Sequence, residues 1–211
     1  MDNCVVLFGK KNTISELAYN FLEKKIKIVK YFFEDDIFDE EELKKINFTY
    51  LISFLNPRII KSTFLLEKRC INFHPSVPKY RGVCGASLAI FNDDTVFGAT
   101  CHIINNKIDE GDIFFVKEID MYKDEDCYSL GWRSKVACLE LLYKFVNFIL
   151  KNNKLPEINK DYTWGKSLMT KKKFREMITF KKEEISDNIE HFKKIEKSVK
   201  NKYFPGPYII N

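Results

Sequence analysis

The chain has 211 residues, of which 45% are hydrophobic and 31% are charged, and its formal net charge is +5. This length and balance predict one globular domain with a full core, or one domain with a small appendage. No apolar run is long enough to cross a bilayer, and the first residues, MDNCVVLFGKK, lack the pattern of a signal peptide. We therefore expect a cytoplasmic protein without a membrane partner.

Cysteines and lysines exclude two further classes of function. The six cysteines contain no Cys-x-x-Cys pair, and they are expected to be reduced in a chain without a secretion signal. Cys101 and His102 are adjacent in a predicted strand and point to opposite faces, so we expect no metal site. The lysine runs after residue 160 alternate with acidic residues, which is typical of solvated helix faces rather than of nucleic-acid binding.

The first third of the chain predicts strands that alternate with helices. Thr13 or Ser15 is expected to begin a helix that continues to about Glu23, and the acidic segment 34–42 leads into a second one. Short apolar runs predict strands over residues 4–8, 26–33, 50–55 and 70–73. This alternation indicates an α/β fold with a Rossmann-like, mainly parallel sheet and helices on both faces. A single glycine follows the first strand, so the dinucleotide fingerprint is absent.

The remainder predicts two more strands, over 96–104 and 113–119, and then a long helix capped by Asp126. Apolar residues that recur at alternating four- and three-residue steps indicate the core face of this helix: Trp132, Val136, Leu139, Tyr143, Val146 and Leu150. The composition then changes to a lysine- and asparagine-rich tail. We expect a domain over residues 1–155 and a small C-terminal α/β appendage over residues 156–211.

Residues 70–112 hold most of the chemically capable groups. Asn72 and His74 end a predicted strand and share one face of it, and ligands of open α/β sheets bind beyond the carboxyl ends of strands. An amide can stabilise a developing oxyanion, and an imidazole can take up a proton near neutral pH. Asp109, on a later turn, could orient that imidazole. Taken alone, these residue types also fit hydrogen-bonded turns without catalytic roles.

Two linked motifs in this stretch resemble the N10-formyltetrahydrofolate-dependent formyltransferases. The run NFHPSVPKYRG is similar to their Asn-x-His-x-Ser-x-Leu-Pro-x-Tyr-Arg-Gly signature, and GATCHIINNKIDEGDI is similar to Gly-x-Thr-x-His followed by Asp-x-Gly-Asp. The resemblance covers residues 1 to about 120. One departure is that only Val77 separates Ser76 from Pro78. Another is that Gly85 and Leu88 stand where many members carry Pro and Trp.

The resemblance implies a catalytic trio of Asn72, His74 and Asp109 that moves a formyl group from N10-formyltetrahydrofolate to an amine. In that scheme Asn72 stabilises the oxyanion, and His74 assists removal of a proton from the amine. Asp109 positions His74 and helps to move a proton to the departing nitrogen. The folate is expected to contact two segments through Leu55, Asn56, Arg58, Ile59, Ile103 and Asn105.

The families that resemble this core differ in the amine they formylate. Methionyl-tRNA formyltransferases carry a longer C-terminal nucleic-acid-binding domain. Glycinamide ribonucleotide formyltransferases have a phosphate-binding first turn rich in Gly and Ser, where this chain has GKKNTIS. The Tyr-Arg-Gly corner and the short chain favour the sugar N-formyltransferases, with a dTDP-4-amino-4,6-dideoxyhexose as the substrate. Glycinamide ribonucleotide as acceptor, and a folate-binding protein that has lost catalysis, stay as alternatives.

The favoured resemblance predicts six substrate contacts. Arg81 and Lys79 are expected to meet the pyrophosphate of the nucleotide sugar, because a guanidinium fork pairs well with phosphate oxygens. Trp164 or Tyr208 is expected to stack on the base, with packing of the tail as the alternative role. The full set is Lys79, Tyr80, Arg81, His102, Trp164 and Tyr208. The sequence leaves open whether the chain forms a homodimer.

Overall fold

The structure is a computed structural model that describes residues 3–60 and 69–210. The elements up to residue 82 are β1 (Cys4–Phe8), α1 (Thr13–Lys25), β2 (Ile28–Phe32), α2 (Glu40–Leu43), β3 (Tyr50–Phe54), β4 (Arg69–His74) and β5 (Arg81–Gly82). Those that follow are α3 (Gly85–Phe91), β6 (Val96–Ile103), β7 (Ile113–Asp120), α4 (Cys127–Asn152), β8 (Leu168–Met169), α5 (Lys171–Met177), β9 (Thr179–Lys181), α6 (Ile189–Val199) and β10 (Tyr208–Ile210).

Six strands form one central sheet in the order β2-β1-β3-β4-β6-β7. The first four of these strands run parallel, whereas β6 is antiparallel to both of its neighbours. Every residue of β1 and of β3 is buried, as expected for apolar strands that are covered on both faces. The mixed, mostly parallel sheet confirms the predicted Rossmann-like α/β fold.

Helix α1 begins at Thr13, one of the two predicted positions, but its cap is the preceding residue. The side chain of Asn12 accepts hydrogen bonds from the backbone N–H groups of Ile14 and Ser15 at 3.0 and 3.1 Å. Asparagine satisfies the free N–H groups of a first turn as well as serine does. Ser15 therefore lies inside the helix, where its hydroxyl donates to the carbonyl of Lys10.

Helix α4 confirms the predicted cap and corrects the predicted core face. Asp126 accepts a hydrogen bond from the backbone N–H of Ser129 at 2.7 Å. Val136 and Leu150, however, are 47% and 40% exposed. Besides Leu139 and Val146, the buried face comprises Leu130, Ser134, Ala137, Cys138, Leu141, Leu142, Phe145 and Ile149. Trp132 and Tyr143 are partly buried against the core, so the predicted stripe is wrong only at Val136 and Leu150. The stripe also missed small residues such as Ser134, which donates to the carbonyl of Gly98.

The residues after 156 pack against the segment that follows β4. Strand β8 pairs with β5, and β10 pairs with β9. Ile178, Ile195 and Val199 form a small buried cluster against Phe91 of α3. None of the described helices combines the length and the apolar character that a membrane span requires. The division at residue 155 stays a prediction.

Candidate active site

Strand pairing places two of the predicted catalytic residues, Asn72 and His74, beside β6. In the β4–β6 ladder, Asn72 lies opposite His102, and His74 lies opposite Thr100. The hydroxyl of Thr100 donates to the carbonyl of Ser76 at 2.7 Å and so holds the turn that follows β4. His74 and His102 are only 7% and 2% exposed, which means that neighbouring protein groups restrict both imidazoles.

Asp109 reaches the same place from the turn between β6 and β7. Its φ is +48°, in the left-handed region that aspartate tolerates better than most residues. One carboxylate oxygen lies 3.7 Å from His74 Nδ1 and accepts a hydrogen bond of 2.8 Å from the backbone N–H of Gly82. The other oxygen lies 3.5 Å from His102 Nε2. We call Asn72, His74, His102 and Asp109 the catalytic group.

Hydrogen-bond partners assign the proton on each neutral imidazole. His74 Nε2 lies 3.0 Å from the carbonyl of Tyr80, which can only accept, so Nε2 carries the proton and Nδ1 keeps a lone pair. By the same argument His102 Nδ1 donates to the carbonyl of Ile103 at 2.7 Å. His102 Nε2 then accepts from the amide of Asn72 at 3.1 Å. This bond orients the amide and leaves its second N–H as a donor.

The carboxyl group of Asp109 is ionised in this site. Burial raises its pKa, but the positive charges that His74 and His102 carry when they are protonated, the hydrogen bond from a protonated His102, and the Gly82 N–H outweigh burial and lower the pKa to about 2. A fixed negative charge therefore stands beside the His74 imidazole at neutral pH. Such a charge stabilises the imidazolium that forms when Nδ1 takes up a proton.

Strand β5 holds the Asp109 turn in place. Arg81 is 8% exposed, and its guanidinium donates to the carbonyls of Ile108 at 3.0 Å and Gly165 at 3.3 Å. It also forms an ion pair of 2.5 Å with Glu110. Because these donors are bound within the chain, the geometry argues against the predicted contact of Arg81 with a pyrophosphate. Arg81 fixes both neighbours of Asp109 instead.

Two further predicted substrate contacts, Lys79 and Tyr80, are bound to Asp94. The Tyr80 hydroxyl donates to one Asp94 oxygen at 2.6 Å and accepts from the amide of Asn92 at 2.9 Å. The ammonium group of Lys79 donates to both Asp94 oxygens, at 2.6 and 2.9 Å. The side chain of Tyr80 is thus bound within the protein. Tyr80 contributes to the site through its backbone carbonyl, which accepts from His74.

Trp164 and Tyr208, both predicted to stack on a base, lie in different places. The Trp164 ring centroid is 4.8 Å from that of His102, and the indole N–H donates to the carbonyl of Gly111 at 2.7 Å. Trp164 therefore forms a wall of the catalytic group. Tyr208 is 44% exposed and lines a separate cavity, to which no member of the catalytic group contributes.

Comparison with known proteins agrees with this geometry. The sequence profile described as formyl transferase matches residues 20–145, which is more than half of the chain. The chain belongs to the formyl transferase family. A methionyl-tRNA formyltransferase of Clostridium tetani is 30% identical over 157 residues, which cover 72% of this chain and 51% of that protein. The chain spans only 40% of the length of other curated relatives with the same name.

Solved structures share the fold over most of the chain. A sugar N-formyltransferase from a Shewanella species superposes with a TM-score of 0.78 at 18% identity, covering 100% of this chain and 93% of that one. An N-formyltransferase from Helicobacter canadensis, in complex with folinic acid and dTDP-3-aminofucose, superposes with a TM-score of 0.69 at 20% identity. The superposition covers 97% of this chain and 83% of the Helicobacter canadensis chain. At this low sequence identity, the two superpositions establish a common fold.

The predicted folate residues of this formyl transferase lie in the loop after β3 and at the carboxyl end of β6. Asn56 accepts from the backbone N–H of Arg58 at 2.9 Å, and the Arg58 guanidinium donates to the carbonyls of Phe33 and Glu34 at 2.7 Å. These two side chains therefore fix the loop after β3, which begins at Leu55 with φ +57°. Ile59 is 57% exposed and offers the accessible apolar surface of that loop.

The second predicted folate segment is half-buried. Ile103 donates its backbone N–H to the carbonyl of Asp112 at 2.9 Å, and the side chain of Asn105 accepts from the N–H of Lys107 at 2.9 Å. Within residues 3–60 and 69–210, no group of three His, Cys, Asp or Glu side chains is arranged to hold a metal ion.

Sequence reasoning missed the framework of this formyl transferase site. His102, predicted to contact substrate, bonds Asn72 and belongs to the catalytic group. The roles of the Tyr80 carbonyl and of the Gly82 N–H were also missed, because backbone groups leave no residue-type signal. The sequence pointed to Tyr80 and Gly82 only because both residues follow the Asn-x-His motif in the same run.

Proposed function

We propose that the chain transfers the formyl group of N10-formyltetrahydrofolate to the amine of a nucleotide-linked amino sugar, a dTDP-4-amino-4,6-dideoxyhexose. The observation that carries formyl transfer is the convergence of Asn72, His74 and an ionised Asp109 within hydrogen-bond or near-contact distances, in a chain of the formyl transferase family. This arrangement supplies an oxyanion donor, a base and a charge that stabilises the protonated base.

The residues divide the chemistry as follows. The amine nitrogen of the acceptor attacks the formyl carbon. The formyl oxygen becomes an oxyanion, which accepts a hydrogen bond from the second N–H of the Asn72 amide. His74 Nδ1 takes a proton from the attacking nitrogen, while Asp109 stabilises the resulting imidazolium. The bond between the formyl carbon and N10 then breaks, and the proton on Nδ1 is returned to N10. The products are the N-formyl sugar and tetrahydrofolate.

The loop after β3 supports the folate assignment. A planar pterin needs apolar surface beside backbone groups that can hydrogen-bond its ring. Ile59 offers such surface, 57% exposed, on a loop that Asn56 and Arg58 fix. We place the pterin against Leu55–Ile59 and Ile103–Asn105, with the formyl group toward the catalytic group.

Likeness along the chain supports a sugar acceptor. The Shewanella sugar N-formyltransferase matches this chain along nearly the whole of both chains, including the residues after 156. The Helicobacter canadensis structure, with its bound dTDP-3-aminofucose, matches 97% of this chain. These likenesses favour a nucleotide sugar over a tRNA as the acceptor.

A substrate panel tests the proposal. Tetrahydrofolate release would be measured with dTDP-amino sugars, glycinamide ribonucleotide and methionyl-tRNA as separate acceptors. We expect turnover with a dTDP-amino sugar. Turnover with the ribonucleotide alone, or with methionyl-tRNA alone, would replace the sugar by that acceptor. Absence of turnover with all three would leave a folate-binding protein without catalysis.

Point variants test the assignment of the site. Asn72→Ala removes the oxyanion donor and is expected to lower kcat by about a hundred- to a thousandfold. His74→Ala removes the base and should lower kcat by at least about a hundredfold. His191→Ala is the matched control, because this third histidine is exposed on α6, away from the catalytic group. Wild-type activity in either site variant would show that the chemistry takes place elsewhere.

A further inference from the structure

A cavity of 330 Å³ lies between α3, α5 and the C-terminal residues, and we call it the α5 cavity. Its walls are mostly apolar and include Phe174, Phe204 and Tyr208. Its volume falls at the lower end of the range for small-molecule pockets. No predicted residue other than Tyr208 lines it, so the proposed chemistry leaves the cavity without a role.

The charged groups of the α5 cavity are all cations. Lys171 and Arg175 are four residues apart on α5, a spacing that places both side chains on one face of the helix. The lining contains no aspartate or glutamate. Within the described part of the chain, neither cation forms an ion pair with a carboxylate, and the Arg175 guanidinium instead lies 5.4 Å from the ring centroid of Tyr208. The cavity thus has a positive, uncompensated rim.

The lining of the cavity includes a free hydroxyl. Ser87 is 9% exposed and lines the cavity, and no residue of the described ranges hydrogen-bonds its side chain. This hydroxyl can therefore donate to a ligand in the cavity. Burial raises the pKa of the neighbouring Cys84 thiol to about 11, so this thiol is neutral and does not compete with an anionic ligand for the cations.

The cavity is connected to the catalytic group by a short stretch of backbone. The N–H of Gly82 bonds Asp109, and Cys84, two residues further on, lines the cavity. Two residues of chain span at most about 7 Å, which bounds the distance between the Cα atoms of Gly82 and Cys84. Lys171 follows β8, the partner strand of β5, so both walls of the cavity are attached to the strand that holds Asp109. The cavity and the catalytic group are therefore connected through the same short strand.

We propose that the α5 cavity binds the nucleoside diphosphate portion of the acceptor. Lys171 and Arg175 pair with the diphosphate, Ser87 donates to one of its oxygens, and Phe174 and Tyr208 pack against the base. The proposal rests on the proposed function, because it takes the acceptor to be a nucleotide-linked sugar. It assigns the diphosphate contacts to α5, in place of the Arg81 and Lys79 contacts predicted from sequence.

Calorimetric titration of the full chain with dTDP tests the site directly. Lys171→Ala/Arg175→Ala is expected to weaken binding by at least about tenfold, since each cation makes charge-assisted hydrogen bonds to the diphosphate. Lys172→Ala/Lys182→Ala is the matched control: it removes two charges outside the cavity lining and should leave the Kd within about twofold. Wild-type protein that fails to bind dTDP, or a cavity variant that binds it as tightly as wild type, would overturn the proposal.

Two more titrations test the chemistry of the ligand. Ser87→Ala should weaken dTDP binding by about three- to tenfold, because it removes one hydrogen bond to a charged group. Inorganic pyrophosphate should bind at least about tenfold more weakly than dTDP, because it gains nothing from the aromatic wall. Equal affinities for pyrophosphate and dTDP would show that the cavity holds an adventitious anion and no nucleotide.

Steady-state kinetics separates this proposal from the proposed function. With an accepted dTDP-amino sugar, Lys171→Ala/Arg175→Ala should raise the KM by at least about tenfold while kcat stays within about threefold. An unchanged KM would overturn the cavity assignment and leave formyl transfer standing. Conversely, dTDP binding that the cavity variant abolishes, in a chain that formylates no acceptor, would support the nucleotide site and overturn the proposed function.

Discussion

At the scale of single residues, Asp109 links the chemistry to the stability of the fold. Its pKa lies below the ordinary value of 3.8, at about 2, so folding favours its ionised form. The resulting stabilisation is complete above the unfolded pKa and is lost as the pH falls from about 5 towards 2. The carboxylate that we propose to assist His74 therefore also contributes to the folded state.

This reasoning predicts a pH-dependent difference between wild type and Asp109→Asn. Wild type should be more stable at neutral pH, and the advantage should shrink by ~2 kcal/mol between pH 5 and pH 2. Urea unfolding across that range measures it. Asp124→Asn, which removes an exposed carboxylate before α4, is the control for loss of one charge. A wild-type advantage that stays constant down to pH 2 would contradict the depressed pKa.

Gly82 supplies a second residue-scale prediction. Its φ is +87°, and a Cβ there would stand 2.1 Å from the carbonyl oxygen of Met169. Gly82→Ala should cost on the order of 1 to 3 kcal/mol for the backbone conformation, before the clash is counted. It should also slow turnover, because the Gly82 N–H holds Asp109.

The matched control for that glycine is Gly131, in the second turn of α4. A Cβ there meets nothing within 4 Å. Gly131→Ala should stabilise the chain by roughly 0.5 to 1 kcal/mol, because alanine loses less backbone entropy in a helix, and should leave kcat unchanged. Chemical unfolding and kcat would be measured for both variants. Equal effects of the two substitutions would show that Gly82 has no special conformational role.

At the scale of elements, β5 is short but connects most of the site. Its Arg81 binds the carbonyls of Ile108 and Gly165, and the flanking Tyr80 carbonyl binds His74. The Tyr-Arg-Gly signature therefore holds the turn that carries Asp109, and its predicted contact with substrate stays a prediction. The short strand β5 thus holds together three parts of the chain, around His74, Ile108 and Gly165.

Arg81→Lys tests this view of β5. Lysine keeps the charge but lacks the guanidinium fork, so the turn that carries Asp109 should shift. We expect kcat to fall by about tenfold or more, while the KM for the acceptor changes by less than about threefold. The opposite result, a raised KM at constant kcat, would restore the direct pyrophosphate contact that the sequence predicts.

The elements also show which parts of the fold a sequence can predict. Buried strands such as β1 and β3 were predicted because their residues are apolar, with Ser53 as the one exception, and the cap of α4 was predicted because Asp126 has a local role. The antiparallel placement of β6, the helix α3 and the buried face of α4 were not. These depend on contacts between distant residues, and in α4 on small side chains that hydrophobic periodicity ignores.

The candidate site divides in the same way. Asn72, His74 and Asp109 were predicted because a motif carries them, and the structure brings them together. The contacts predicted for Arg81 and Lys79 stay predictions. Arg81 is bound to backbone carbonyls and Lys79 to Asp94, and a sequence does not show which cations are already paired within the chain.

At the scale of the whole molecule, the C-terminal residues help to build the catalytic site. Trp164 stands against His102, and the carbonyl of Gly165 accepts from Arg81. The carbonyl of Met169 accepts from the N–H of Val83 at 3.0 Å. A chain that ends at residue 155, the predicted domain boundary, would lose all of these contacts. The site would then lack one wall and the partner strand of β5.

We therefore expect a 1–155 truncation to turn over at least about a hundredfold more slowly than the full chain, because displacements of about 1 Å in a site already cost that much. It should also unfold at lower urea concentration, since Phe91 loses the buried cluster that covers it. Trp164→Phe in the full chain is the control: it removes only the hydrogen bond to Gly111 and should cost about tenfold or less in kcat. A truncated chain with full activity would instead show that residues 1–155 form an independent catalytic domain.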